Sequence, residues 1–361
     1  MPFPAGMEQA NNAESPAVEP EQLARQARLR YVRDSEPGFG RRKRGSGFQY
    51  IDSRGRELKS PRKLERIEAL VIPPAWHDVW ICRFANGHLQ CTGRDEQGRK
   101  QYLYHERWQA TVAAWKFHKL RSFGQRLAKL RRRVESDLRR RSKSSEQVAA
   151  VIVALLDRTA IRVGNEEYVR ENGSYGLTTL RRRHVKIVGD RIRLRFRGKS
   201  GVRREAELTD PRLAKLLADY QACGGAMLFA CLPGESGWQF VDSDDVNAYL
   251  HAIIGEGFTA KDFRTWQASA TVAGRLHASL PVETKRQRRE AIRSAIGEAA
   301  ELLGNTTTVC RNSYVHPELL ARYETGEFDQ MVGDYRPRKS KRFSREERVL
   351  LRFLQRLEQG E

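Results

Sequence analysis

Residues Leu155 to Arg204 read LLDRTAIRVGNEEYVRENGSYGLTTLRRRHVKIVGDRIRLRFRGKSGVRR. Three textures follow one another here. From Leu155 to Arg170, Leu155, Leu156, Thr159 and Val163 recur at helical spacing, which predicts a helix carrying Arg162. Gly173 to His184 reads as a turn and a polar, Thr-rich connection. From Val185 to Phe196 the period drops to two: Ile192, Leu194 and Phe196 face one way, and Arg191, Arg193, Arg195 and Arg197 the other. Gly189-Asp190 and Gly198-Lys199-Ser200-Gly201 supply tight turns at its two ends. Lys199 therefore falls at the tip of a β-hairpin. Glycine-flanked, it can reach into a groove and deliver a proton to a bound substrate.

On the N-terminal side, Met1 to about Pro20 has no periodicity and is expected to be disordered. Residues 21–105 predict a small β-rich domain. Glu21 to Tyr31 and Ser60 to Ala69 read as short helices, and Val79–Phe84 and His88–Cys91 as strands around a hairpin at Asn86-Gly87. Residues 106–335 predict a larger, mainly α domain. Trp108–Phe117 and Leu120–Leu138 have helical spacing, and Arg131-Arg132-Arg133 and Arg139-Arg140-Arg141 read as solvated faces. Ser144 with Gln147 fits a capping box. Further helices are expected at Leu208–Tyr220, at Asp242–Ile254 with Ser243 as cap, at Phe258–Leu280, and at Arg288–Leu303 closed by Gly304. A short helix carrying Tyr314 follows, then one from Pro317 to Thr325. Residues 336–361 read as a basic linker and a final helix capped by Ser344 and Glu347. The fold class is α+β.

The chain has 361 residues and a formal net charge of +21. Basic residues spread over folded segments and not confined to a tail point to a polyanion, above all nucleic acid. The five cysteines have no CxxC or zinc-type spacing and read as reduced thiols of a cytosolic protein. No apolar run approaches twenty residues, so no membrane span is expected, and the N-terminus has no secretory pattern. The acidic residues form no two-metal pattern. Gly198-Lys199-Ser200 is only the tail of a phosphate loop and lacks its leading glycine. No metal and no nucleotide cofactor is implied.

Arg162, Lys199, Arg264 and Tyr314 are far apart, and singly each is ordinary. In order, RVGNEEY (162–168), GLTTLRRRHV (176–185), FRGKSG (196–201), KDFRTW (261–266) and ELLGNTTTVCRNSYVHP (301–317) resemble the successive catalytic motifs of type IB DNA topoisomerases, in the compact poxvirus-like bacterial form. PPAWHDVWIC (73–82) and GRDEQGRKQYLYH (93–105) resemble the same family's DNA-clamping domain. The resemblance covers about residues 38 to 335. It implies a monomeric, C-shaped clamp on duplex DNA, cytoplasmic and at the nucleoid. Such a clamp nicks one strand through a 3′-phosphotyrosine, lets it rotate and reseals it without ATP or metal. It implies Tyr314 as nucleophile, Arg162 and Arg264 on the scissile phosphate, and Lys199 as general acid assisted by Lys261. Where the poxvirus enzymes carry histidine, this chain has Asn305. Its amide can donate one hydrogen bond to a phosphate oxygen but cannot be cationic. The alternative is that Asn305 only caps the helix carrying Tyr314. Arg94, Arg99, Gln101, Tyr102 and Tyr104, with Tyr168 of the first motif, are the expected DNA contacts.

The chemistry stands on its own as well. Strand passage needs a nick that conserves the phosphodiester energy, and a tyrosine can take the phosphate and return it. The pentavalent transition state carries added negative charge that two fixed guanidiniums suit. The departing 5′-oxygen needs a proton, which an ammonium can supply. Two rivals use some of the same features. A tyrosine recombinase has a similar Arg/Lys/Arg/Tyr set, but with a His-x-x-Arg box where this chain has Lys261-Asp262-Phe263-Arg264, and it tends to have a helical N-terminal domain. A non-enzymatic DNA- or RNA-binding protein would need only the charge.

Overall fold

The structure, a computed structural model, describes residues 20–45, 47–140, 144–223, 225–229, 232–234, 237–239, 241–338 and 340–360. The tail expected at 1–20 thus lies outside the described residues except for Pro20. The chain forms two compact units, one ending at His118 and one running from Lys119 to Glu361. Mixed helix and antiparallel sheet make it α+β.

The N-terminal unit contains α1 (Pro20–Gln26), β1 (Phe39–Arg44), β2 (Gly47–Ile51), α2 (Pro61–Ala69), β3 (His77–Ile81), β4 (Leu89–Arg94), β5 (Lys100–Tyr104) and the start of α3 (Glu106–Asp137). Its five strands are antiparallel in the order β2-β1-β3-β4-β5. Ile67 of α2 closes over Phe39, Val79, Ile81 and Cys91 to form the core. The Asn86-Gly87 hairpin is wider than expected, since β3 stops at Ile81 and β4 begins at Leu89. Arg30 competes for this loop: its N–H donates to Asn86 O and its carbonyl accepts from His88 N, both at 2.8 Å. Gln90 Nε2 donates to Gly87 O at 2.7 Å and Ala85 O at 3.1 Å. With the loop's polar groups met from outside, a two-residue turn is not needed.

The second unit contains the rest of α3 and α4 (Ser145–Thr159), α5 (Glu166–Asn172), β6 (Val185–Val188), β7 (Arg191–Arg197), β8 (Arg203–Thr209), α6 (Pro211–Ala222), β9 (Leu232–Gly234), β10 (Gly237–Gln239), α7 (Ser243–Ile254), α8 (Ala260–Ala278), α9 (Lys285–Leu303), α10 (Thr307–Ser313), α11 (Pro317–Thr325), α12 (Glu327–Val332) and α13 (Arg345–Gln359). Residues Val148 to Leu156 of α4 are all buried, the mark of a central helix apolar on every side. Helix α8 packs between α9 and α13. β6, β7 and β8 form an antiparallel sheet, and β7 alternates as expected, with Ile192, Leu194 and Phe196 buried and its four arginines exposed.

Several expectations are corrected. Arg162 is not on a helix: α4 ends at Thr159, and Ala160 turns left-handed with φ 50°. Helix α3 is one helix of 32 residues and not two, and it runs from the first compact unit into the second. Arg131 is not solvated. Its guanidinium donates to both carboxylate oxygens of Asp157, at 2.7 and 2.8 Å, and to Glu347 Oε1 at 2.6 Å. Asp242, not Ser243, caps α7. The final helix α13 forms with the expected Ser344–Glu347 capping box, and its Leu350, Phe353 and Leu354 belong to the core of the unit. Cys82, Cys91 and Cys310 are free and buried, whereas Cys223 is disulfide-bonded, against the reading of all five as reduced.

Candidate active site

The chain leaving α4 is extended. Arg162 O accepts from Leu177 N at 3.0 Å and Val163 O from Thr178 N at 2.7 Å. Gly164 and Gly176 lie backbone to backbone in this pairing, with no room for a side chain on either, and Gly164 has φ +100°. Tyr175 N donates to Arg197 O at 2.8 Å, which fastens the Arg162 segment to the end of β7. The next residues form the Lys199 turn. Gly198 N donates to Val202 O at 2.8 Å, and Ser200 and Gly201 have φ of 60° and 74°. Lys199 is half-buried there, at the hairpin tip as expected.

Arg264, in the second turn of α8, is 3 % exposed. It donates through Nη1 to Ala160 O and through Nη2 to Leu303 O at 3.0 Å, so it spans the C-terminal ends of α4 and α9. Those carbonyl ends carry the negative pole of each helix and suit a cation. The guanidinium carbon lies 5.0 Å from the centroid of the Tyr314 ring. Burial, and then the charge of Arg162, lower its pKa to about 10, so it stays a cation at neutral pH. Its Nε is buried without a hydrogen-bond partner.

Gly304 ends α9 in the left-handed conformation that a C-cap glycine adopts. Asn305 follows, and its Oδ1 accepts from Arg162 Nη2 at 3.1 Å while its Nδ2 is buried with no partner. The cap of α10 is Thr306, whose Oγ1 accepts from Val309 N at 3.3 Å. Capping therefore does not account for Asn305. Tyr314 closes α10, buried, with its N–H on Cys310 O at 2.9 Å. Its carbonyl accepts from Ser269 Oγ at 3.1 Å, and the same Oγ accepts from His316 N at 3.1 Å. A buried serine on α8 thus holds the Tyr314 backbone to the helix bearing Arg264. His316 caps α11.

The structure brings Arg162, Arg264, Asn305 and Tyr314 together. Lys261 is exposed in the first turn of α8, one turn ahead of Arg264. A residue the sequence reading missed joins the group. Arg204 of β8 is 9 % exposed, donates to Leu302 O at 2.9 Å, and has its pKa lowered by burial and then by Arg162. Its signal was faint: the strand register pairs it with Phe196, on the apolar face of the sheet. Among the described residues no carboxylate pairs with Arg162, Arg204 or Arg264, and no three His, Cys, Asp or Glu residues cluster as metal ligands.

In the N-terminal unit, the other expected contacts gather on the β4–β5 hairpin. Arg94 Nη1 donates to Gly98 O at 2.7 Å, Arg99 Nε to Asp95 Oδ2 at 2.7 Å, and Gln101 Nε2 to the same oxygen at 3.0 Å. Tyr102 and Tyr104 share one face, stacked with ring centroids 6.0 Å apart, and both are half-buried. Burial raises the Tyr104 pKa to about 12. The Tyr168 side chain lies outside the described residues.

Comparison with known proteins shows the family. The family model for the catalytic core of eukaryotic DNA topoisomerase I matches residues 106–333, and that for the N-terminal domain of bacterial DNA topoisomerase IB matches residues 47–95. The chain is 32% identical over 303 residues to the DNA topoisomerase 1B of Acanthamoeba polyphaga mimivirus, covering 80% of this chain and 88% of that protein. It is 22% identical over 243 residues to the DNA topoisomerase 1B of vaccinia virus strain Copenhagen, covering 66% and 74% respectively. Two matched domains in order, and a relative aligned over most of both chains, establish that the chain belongs to the type IB DNA topoisomerases, in the poxvirus-like bacterial form.

Proposed function

We infer that this protein relaxes supercoiled duplex DNA by cutting one strand, letting it rotate and resealing it. Tyr314 attacks the scissile phosphorus as the phenolate, its proton passing to water. A Tyr314 Oη–P bond forms and the P–O5′ bond breaks. Lys199 gives the leaving 5′-oxygen its proton, and religation runs the same steps in reverse. Arg162, Arg264 and the Asn305 amide bind the non-bridging oxygens, where charge builds up in the transition state. Lys261 assists from the first turn of α8.

The observation that carries this reading is the buried pair of donors, Asn305 Nδ2 and Arg264 Nε, both unpartnered, among guanidiniums with no carboxylate beside them. Buried donors and uncompensated cations are costly unless an anion completes them. Arg94, Arg99, Gln101, Tyr102, Tyr104 and Tyr168 contact the backbone and groove of the duplex. On this reading residues 21–105 and 106–335 close on opposite faces of one duplex as a C-shaped clamp, acting as a monomer at the nucleoid.

A plasmid assay in EDTA without ATP tests the reading. Supercoils of both signs are expected to relax fully. No relaxation under those conditions, or relaxation only with magnesium and ATP, would refute it. Recombined plasmid products would favour a recombinase instead.

A further inference from the structure

We propose that Arg204 is a positioning residue: it clasps the Lys199 hairpin to the Gly304–Asn305 turn and so sets where the proton donor stands. The proposal rests on the reading of Lys199 as general acid. Arg204 touches the site from two sides. Its stem packs on Gly198, the residue before Lys199, where a Cβ would stand 2.7 Å from the Arg204 Cγ. Its guanidinium lies on Gly304, the residue before Asn305, so closely that a Cβ there would overlap it. Nη2 is fixed by Leu302 O at 2.9 Å, near the end of α9. One side chain therefore bridges the hairpin and the turn that delivers the phosphate-binding amide.

Ion pairing does not explain the residue. Among the described residues Arg204 has no acidic partner, and the charge of Arg162 acts against its own. A buried cation beside like charges is costly to the fold unless it is paired. What arginine offers here is a rigid planar fork on a long stem, held at one nitrogen by a carbonyl. The strand pairing Arg197 to Arg203 and Phe196 to Arg204 fixes the base of that stem directly behind the Lys199 turn.

Single-turnover cleavage tests this on duplexes with oxygen or sulfur at the bridging 5′ position. Arg204→Ala is expected to slow cleavage of the oxygen substrate about 10–100-fold, the scale of a small misplacement of a reacting group. Sulfur leaves without a proton, so it should restore most of the rate in Arg204→Ala, as in Lys199→Ala. The double variant should be no slower than Lys199→Ala alone. Arg204→Lys, which keeps the charge and loses the fork, should recover little. Arg204→Gln, with a stem and one amide, carries the same comparison if alanine prevents folding.

Multiplicative slowing in the double variant would overturn the proposal. So would full recovery by Arg204→Lys, or sulfur rescue of Lys199→Ala without rescue of Arg204→Ala. Rescue of neither would instead remove Lys199 as the proton donor, and the double variant would still decide whether Arg204 works through it.

Discussion

Asn305 uses its Oδ1 on Arg162 and holds Nδ2 buried and unpartnered. An unmet buried donor costs about 1–3 kcal/mol, which a phosphate oxygen would recover on binding. Asn305→Ala is therefore expected to slow single-turnover cleavage about 10²-fold, the cost of removing one donor to a developing anion. Asn305→His, the poxvirus choice, should retain most of the rate. An alanine variant as fast as the parent would leave the amide without a chemical role. At this scale the gathering of Arg162, Arg264, Asn305 and Tyr314 was legible because each lies in a motif with fixed neighbours. Arg204 was not, since an arginine after the hairpin lysine reads as one more charge on a basic strand. Arg131 was misread for a related reason: a triplet shows its own charge but not the carboxylates of Asp157 and Glu347 that meet it.

Among the elements, α13 bears on the site through Glu347. This carboxylate accepts from Arg131 and, at 2.8 Å, from Trp266 Nε1 on α8, two residues beyond Arg264. Removing one partner from a buried ionic network typically costs 3–5 kcal/mol. Glu347→Ala should thus lower stability by about 3 kcal/mol in equilibrium denaturation, and an unchanged midpoint would contradict the role given to α13. Helix α11 carries a pH dependence. Burial lowers the His316 pKa to about 4, and its Nδ1 accepts from Glu318 N. Above about pH 6.5 folded and unfolded chains are both neutral at this residue. Between about 6.5 and 4 the unfolded chain binds a proton that the folded chain does not, so stability falls as pH drops through that window. The slope is about 1 kcal/mol per pH unit for this residue, and burial acts the same way on His88 and His184. His316→Gln should flatten the profile, and an identical slope would contradict the assignment. The helix starts capped by Ser144 and by Ser344 with Glu347 were readable in advance. The end of α4 was not, because alanine at 160 gives no sign of a left-handed turn.

Across the whole molecule the net charge of +21 is expected to dominate DNA affinity. The logarithm of the binding constant should fall linearly with the logarithm of salt, by roughly 0.9 per phosphate neutralised. A flat response in a salt titration would detach the charge from DNA binding. The α+β class and the order of the two parts were legible as a change of texture, from glycine-punctuated strands to helical spacing. That α3 runs as one unbroken helix from the first compact unit into the second was not.

The central claim is that Tyr314 becomes covalently linked to DNA. Its most direct test is to trap the adduct on a duplex whose cleaved 5′ fragment is too short to stay bound, digest the protein, and map the modified residue by mass spectrometry. The expected result is a DNA 3′-phosphate on Tyr314, with no adduct in Tyr314→Phe although that variant still binds the duplex. A phosphate on another residue, or an adduct that persists in Tyr314→Phe, would contradict the account.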